Sequence, residues 1–567
     1  SKIDTMRKKH FLFASVLALL CGSSTLHAQD FKLTSSGYFK NQGVDVMAFD
    51  DIYPEGHQGG VCIIMNGHRV ATNGDIRLEA TPGQWQPVPK QLDRKLGDNS
   101  ITATLCYPDS SRHLTGFNPM IYPDLHLIYT VNVESKGKNI EVTVDLDRPI
   151  PQEFIGKVGF NLEFFPGSLF GKPWIMDGQS GIFPQQPNSP LMTTQPNYLH
   201  TGNYHDGKKS LADMDKLIGK GYSPIVADDI ISEPYAKGTK FTSRPDDPYN
   251  KVTIESLSGD LQLFDGRMNH NNGWFVLRSN IKPGVTKGAV KWIITPNVVA
   301  DWMYQPVIQT SQIGYHPAQD KEAVIEMDIR DNRKETAQII RIDADGEKVV
   351  KNVTPANWGK FLRYNYLKVN FTDVKEPGLY KIKYNTSVSP IFRIDNDVYA
   401  RGVWQPVLEY FLPVQMCHMR VNEKYRVWHD CCHMDDAQMA PAHNHIDGYD
   451  QKEGLSKFKP GEVVPGVNIG GWHDAGDFDL RIESQAGESY ILALAYEAFH
   501  PNLDVTSIDQ INRVTEIHQP DGKNDLLQQV ENGALTVVNG YLALGRLYRG
   551  IICNDLRQYV LLGDAAA

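Results

Sequence analysis

The sequence predicts a multidomain protein in which an N-terminal all-β sandwich and an immunoglobulin-like β-sandwich precede an all-α region. Three observations carry that reading. The chain has 567 residues, too many for a single hydrophobic core. Apolar residues alternate with period two, between turn-forming residues, as far as about Asp395. Beyond Asn396 the apolar period lengthens to that of helices.

Residues 6–28 have the form of an export signal. Met6 is followed by Arg7, Lys8 and Lys9, then by an apolar run from Phe11 to Cys21, then by Leu26-His27-Ala28 as a cleavage site. The run is too short to span a bilayer, and no later stretch is long and apolar enough to do so. Leu20, just before Cys21, is larger than lipid-modifying peptidases prefer. The expectation is therefore simple export, to the periplasm or the extracellular space, with a mature start near Gln29. Ser1 to Thr5 lie upstream of the expected start methionine.

Residues 29–300 read as an all-β sandwich whose role the sequence leaves open. Leu127 to Val133 alternates, Ile140 to Leu146 alternates, and Ser135-Lys136-Gly137-Lys138 between them predicts a hairpin. Trp174 and Phe170 suit core packing better than a sugar platform. Residues 305–395 carry short alternating strands of an immunoglobulin-like sandwich. Ala323, Ile325, Met327 and Ile329 share one face there. Asp345-Gly346 marks a turn between Ile340-Arg341-Ile342 and Lys348-Val349-Val350, and Tyr380, Ile382 and Tyr384 alternate with lysines. In residues 396–567, Val403, Val407, Leu408 and Phe411 have helical spacing, as do Ile491, Leu494, Ala495, Ala498 and Phe499. Another helix is expected to start after Asn524-Asp525.

A net charge of −10 with a pI near 6.0 argues against nucleic acid or an anionic membrane as partner, because both demand basic patches. A neutral polysaccharide or oligosaccharide fits better, and 25 Tyr, 22 Phe and 9 Trp supply rings to grip one. With Cys21 leaving in the signal, Cys62, Cys106, Cys417, Cys431, Cys432 and Cys553 remain. Disulfides are the default in an exported protein. Yet Cys431 and Cys432 are adjacent and precede His433. Cys417, Cys432, His433 and His473 compose a two-Cys, two-His set of the closed, structural zinc type. A disulfide from Cys417 to Cys431 or Cys432, with surface histidines, is the competing reading.

The strongest chemical signal is Gly470-Gly471-Trp472-His473-Asp474-Ala475-Gly476-Asp477. Two carboxylates three residues apart suit a water-holding pair, with Asp474 or Asp477 as the base. They do not suit both halves of an inverting glycosidase site, whose acid and base stand roughly 6.5–9.5 Å apart on opposite faces of the sugar. Trp472 is a candidate substrate-binding ring. Asp435-Asp436 could line the same cleft, bind calcium, or cap a helix beginning at Ala437; capping is the simplest of the three.

These motifs bear a resemblance to glycoside hydrolase family 9, the (α/α)6-barrel cellulases. Gly470 to Asp477 resembles the family's aspartate motif, and Cys432-His433-Met434-Asp435-Asp436-Ala437 resembles a second stretch. Ser311-Gln312-Ile313-Gly314-Tyr315-His316-Pro317 is similar to the opening of the immunoglobulin-like domain that often precedes the barrel. The resemblance implies that residues 396–567 begin an (α/α)6 catalytic domain. It also implies that Asp477 is the general base and that Asp474 helps hold the water; Asp436, which could line the cleft, is kept as a candidate substrate-binding residue. A structural zinc on Cys417, Cys432, His433 and His473 is implied too; calcium is a further expectation with no ligands assigned. The family's proton-donating glutamate lies late in its barrel, and the roughly 170 residues after Asn396 are few for twelve helices. The expectation is a C-terminally truncated, inactive piece of an inverting β-glycanase. A non-catalytic glycan-binding or scaffold protein is the alternative.

Overall fold

A computed structural model describes residues 29–50, 59–79, 81–82, 89–107, 125–188, 192–194, 230–268, 273–434, 437–442, 445–446, 449–475, 478–553 and 559–562. The expected export signal lies outside them. The chain divides into two compact units, described over residues 29–304 and 305–562 respectively. Among the described residues no helix is long and apolar enough to cross a membrane.

The first unit is built of two nine-stranded sheets. One runs in space through Lys32–Leu33, Phe39–Asn41, Val44–Ala48, Val61–Met65, His68–Leu78, Val158–Phe164, Phe275–Asn280, Leu261–Asp265 and Ala236–Gly238. The other runs through Gln179–Ile182, Pro173–Met176, Lys240–Ser243, Val252–Ser256, Val290–Pro296, Asn139–Leu146, Ile128–Lys136, Ser100–Cys106 and Lys90–Leu96. The expected hairpin forms with Lys136 opposite Asn139, and Gly137 at φ 64° makes its turn. Alternate residues of Asn139–Leu146 are buried, as a sheet packed on one face requires. Phe160 of the first sheet meets Trp292 of the second edge-on at 4.9 Å, so the two inner faces share one core. Trp174 is buried and therefore packs rather than binds.

Charge is also buried in this unit. Arg278 donates to Asn161 Oδ1 and to the Glu79 carbonyl, and lies 3.6 Å from the Glu79 carboxylate. Burial pushes the carboxyl of Glu79 up to about 7 and that of Asp75 up to about 6, against the pull of neighbouring arginines. Alternation alone does not predict such residues inside.

The immunoglobulin-like portion stacks two sheets. The first orders Val307–Gln309, Glu322–Asp328, Tyr364–Asn370 and Ala356–Phe361. The second orders Gly346–Val353, Ala337–Asp343, Gly378–Tyr384 and Ser387–Val388, with Phe392–Ile394 also pairing Gly378–Tyr384. Ala323, Ile325 and Met327 from one sheet and Tyr380, Ile382 and Tyr384 from the other fill the core between them, as their alternation predicts. The turn at Asp345-Gly346 closes a hairpin in which Asp343 pairs Gly346.

The run Ser311 to Pro317 has a physical purpose here. Tyr315 is buried, crosses Phe371 and Phe392 edge-on, and accepts on its hydroxyl from the Ser311 amide. Its own amide donates to the Arg393 carbonyl. Gly314 sits at φ 104°, and a Cβ there would collide with that carbonyl oxygen.

The remainder contains a short helix, Gln405–Tyr410, running into a π-turn over Phe411–Gln415, and two long helices, Ile482–Phe499 and Asp525–Leu544. Asn524 caps the last by accepting from the amides of Leu526 and Leu527. Two features depart from expectation. A four-stranded sheet of Arg426–His429, Arg420–Glu423, Val514–Ile517 and Thr506–Asp509 occupies the connections. No helix starts at Ala437, whose carbonyl instead accepts from the Val464 amide, so there is no helix there for Asp435-Asp436 to cap.

Gly314→Ala is expected to cost about 1–3 kcal/mol, through a disfavoured φ and a backbone clash. Calorimetry should show the transition that contains this domain moving to lower temperature. An unchanged endotherm would mean that the motif's glycine is not sterically required.

Candidate active site and metal centre

The site is assembled by a backbone clasp. The end of the π-turn runs antiparallel to the Gly470–His473 segment, with Met416 bridged to Trp472. The Cys417 amide donates to the Gly471 carbonyl at 2.9 Å, and the His473 amide donates to the Gln415 carbonyl at 2.7 Å. A thiol and an imidazole far apart in sequence are thereby set side by side.

The two glycines serve the clasp. Gly470 and Gly471 hold φ 72° and 91°, and a Cβ on Gly471 would come within 2.9 Å of Leu480. Polar side chains from the two long helices then satisfy the backbone of the loop. Gln485 accepts from the Trp472 amide and donates to the Trp472 carbonyl, while the Asn532 side chain donates to the Gly471 carbonyl and its backbone carbonyl accepts from the Gly471 amide. Both side chains are fully buried.

Trp472 is corrected as a substrate-binding residue. It is wholly buried among Leu412, Met416, Met419 and Val421, leans on Phe411, and donates its indole N–H to Gln529. A ring with no accessible face offers a sugar nothing to stack on.

Cys417, Cys432, His433 and His473 come together, with one ligand atom from each lying within 4.8 Å of all the others. Cys432 Sγ is 3.6 Å from Cys417 Sγ and 3.6 Å from His473 Nε2. A disulfide would need about 2.05 Å, so Cys417 and Cys432 are not joined; Cys431 is likewise a free thiol. The Cys417 thiol and the His473 ring, both hydrogen-bonding it, hold the Cys432 thiol down to about 3 despite burial, which works the other way. His433 reaches the cluster from a left-handed backbone, φ 53°, uncommon for a residue with a side chain. The four donors together could hold a metal ion.

Asp474 follows His473 directly and is fixed by charge. Arg481 Nε lies 3.0 Å from Asp474 Oδ2, and its Nη2 donates at 2.9 Å to Asp479, itself buried. The Asp474 amide donates to the Asp479 carbonyl. Glu488, on the Ile482–Phe499 helix, has its carboxyl raised by burial and by the nearby Asp474. Arg481, Asp479 and Glu488 escaped the sequence reading. Asp479 stands two residues beyond Asp477, so its place in the motif was the available signal. Asp477, Asp435 and Asp436 lie outside the described residues.

Gln485→Leu should leave two buried backbone groups of Trp472 unpaired, at about 1–3 kcal/mol each. Hydrogen exchange at the Trp472 amide is expected to accelerate in step with the lost stability. Unchanged protection would show that Gln485 does not hold the loop.

Comparison with known proteins gives a match at residues 303–389 to the family model of the cellulase N-terminal ig-like domain. No curated protein matches. Among solved structures, a zinc-binding triple mutant of the family 9 endoglucanase J30 is similar at 21% identity and TM-score 0.33, over 44% of this chain and 44% of that one. A Bacteroides ovatus family 9 glycoside hydrolase is similar at 19% identity and TM-score 0.33, over 45% of each chain. The Slr1438 protein of Synechocystis is similar at 11% identity and TM-score 0.22, over 47% of this chain and 96% of that one. The chain thus spans less than half the length of the two hydrolases. The likeness to family 9 proteins with an immunoglobulin-like domain, read from the motifs, is borne out at that domain: over residues 303–389 the chain carries a cellulase N-terminal immunoglobulin-like domain.

Proposed function

We propose that the protein is an exported inverting glycoside hydrolase acting on β-1,4-glucan or a related plant β-glycan, with Asp477 as general base and Asp474 helping to hold the water. The carrying observation is that His473, inside the Gly470–Asp477 run, belongs to the four-donor cluster, so the loop bearing Asp474 is tied to Cys417, Cys432 and His433. In an inverting reaction one carboxylate takes a proton from a water on one face of the sugar while an acid protonates the leaving oxygen from the other. The ion pair with Arg481 orients Asp474, which helps hold that water. No residue of this chain is assigned the role of the acid. Asp436 is assigned to substrate, and residues 396–567 to an (α/α)6 catalytic domain.

The metal is read as zinc. Tetrahedral zinc with sulfur at about 2.3 Å and nitrogen at about 2.0–2.1 Å spaces S and S about 3.8 Å apart, and S and N about 3.5 Å apart. The 3.6 Å separations around Cys432 support that geometry. Four protein donors leave no open position, so the ion's contribution is structural, joining the loops of Cys417, Cys432-His433 and His473. Calcium remains a proposal without assigned ligands.

Elemental analysis should find about one zinc per chain, lost in Cys432→Ser with reduced stability; a stable metal-free protein contradicts the site. Asp477→Ala should lower hydrolysis of β-1,4-glucan about a thousandfold while glycan binding persists. More than a few per cent of the wild-type rate would remove Asp477 as the base. NMR of the first-formed product should show the inverted anomer, and a retained anomer rules the mechanism out.

A further inference from the structure

We infer that the outward face of the four-stranded sheet of the immunoglobulin-like domain binds a soluble, neutral β-glucan chain, an inference that rests on the glycan-directed reading above. The inward face of this sheet is ordinary core, with Ala323, Ile325, Met327, Leu367 and Val369 buried. The pleat turns the intervening residues outward. Pairing then places Tyr364 beside Phe361, and Tyr366 beside Gly359. A shift of register between Asn357 and Gly359 brings Trp358 onto the same face. Its ring meets Tyr366 edge-on at 5.6 Å, and Tyr364 follows at 6.1 Å.

Such a face of a sandwich is normally polar. Here Trp358 and Phe361 are each 56% exposed, and Leu362 beside them is more exposed still. Contiguous apolar surface with a polar rim marks an interaction site. The rim is polar: Lys368 is taken up by Glu322 at 2.8 Å, and the Glu326 carboxylate accepts from the Tyr366 hydroxyl at 3.2 Å. With two carboxylates to one lysine among these groups, the rim disfavours a phosphate or an acidic peptide and can accept the hydroxyls of a neutral partner. A pyranose offers what the face lacks, an apolar C–H side for the rings and hydroxyls for the carboxylate and phenol groups. The planes of Trp358 and Tyr366 are 88° apart, and those of Tyr364 and Tyr366 65° apart. Rings so turned cannot lie together on a flat crystalline surface; they suit a single twisted chain.

Native gel electrophoresis of the whole chain in gels containing hydroxyethyl cellulose tests this, with hydrolysis of the same polymer followed separately by reducing-end release. The wild type should be retarded, Trp358→Ala should weaken the apparent affinity about tenfold, and Trp358→Tyr should restore most of it. Circular dichroism confirms that each variant is folded, as substitution of so exposed a ring allows. Retardation that depends on Trp358 supports this surface whether or not reducing ends are released, while the hydrolase reading fails separately, on a retained anomer or on an indifferent Asp477→Ala. Hydrolysis with retardation absent, or indifferent to Trp358, overturns the surface. So does sedimentation showing that Trp358→Ala merely dissociates a dimer, since the face would then be a contact between copies.

Discussion

The candidate site depends on the clasp between Gln415-Met416-Cys417 and Gly471-Trp472-His473. Two backbone hydrogen bonds and one bridge set the register, and register decides which side chains meet. With it, Cys417 and His473 point into one cluster that Cys432 and His433 complete. A shift of one residue would send them to opposite sides. Asp474 inherits its position from the same register, because it continues the clasped strand and is caught at once by Arg481.

That clasp is held from behind by an unusual means. The long helices bury Gln485, Ser489, Gln529 and Asn532 instead of an aliphatic stripe. Three of these hydrogen-bond the loop or the Trp472 indole. Burying amides costs free energy unless every donor and acceptor is met, and here the glycine-rich loop supplies the partners. The corollary is visible on the opposite face, where Ile491 is 66% exposed and Phe499 more so. These helices are thus specified more by what they hold than by apolar burial.

This explains which parts of the protein were legible in its sequence. Turn residues with one physical solution were readable: Gly137, Asp345-Gly346 and the Asn524 cap all sit where their chemistry puts them. So was the grouping of the four donors Cys417, Cys432, His433 and His473, because thiols and imidazoles with few other uses limit the combinations. The apolar stripe of Ile491, Leu494 and Phe499 predicted a helix correctly but not its buried side, since periodicity does not reveal that glutamines are wanted inside. Trp472 misled for a related reason. An aromatic beside an aspartate motif suggests a sugar platform, whereas its ring is the core that the clasp closes over. The residues that orient Asp474 were silent, because Arg481 acquires its role only through contacts to Asp474 and Asp479 that no spacing announces. The buried Arg278–Glu79 network was equally invisible to a period-two reading.

The central claim is that a closed four-donor metal centre anchors the loop of Asp474. X-ray absorption at the zinc edge of the purified protein tests it most directly. Two sulfurs at about 2.3 Å and two nitrogens at about 2.0–2.1 Å are expected, with no oxygen neighbour. A first shell with fewer than two sulfurs, or one holding a water oxygen, would contradict it.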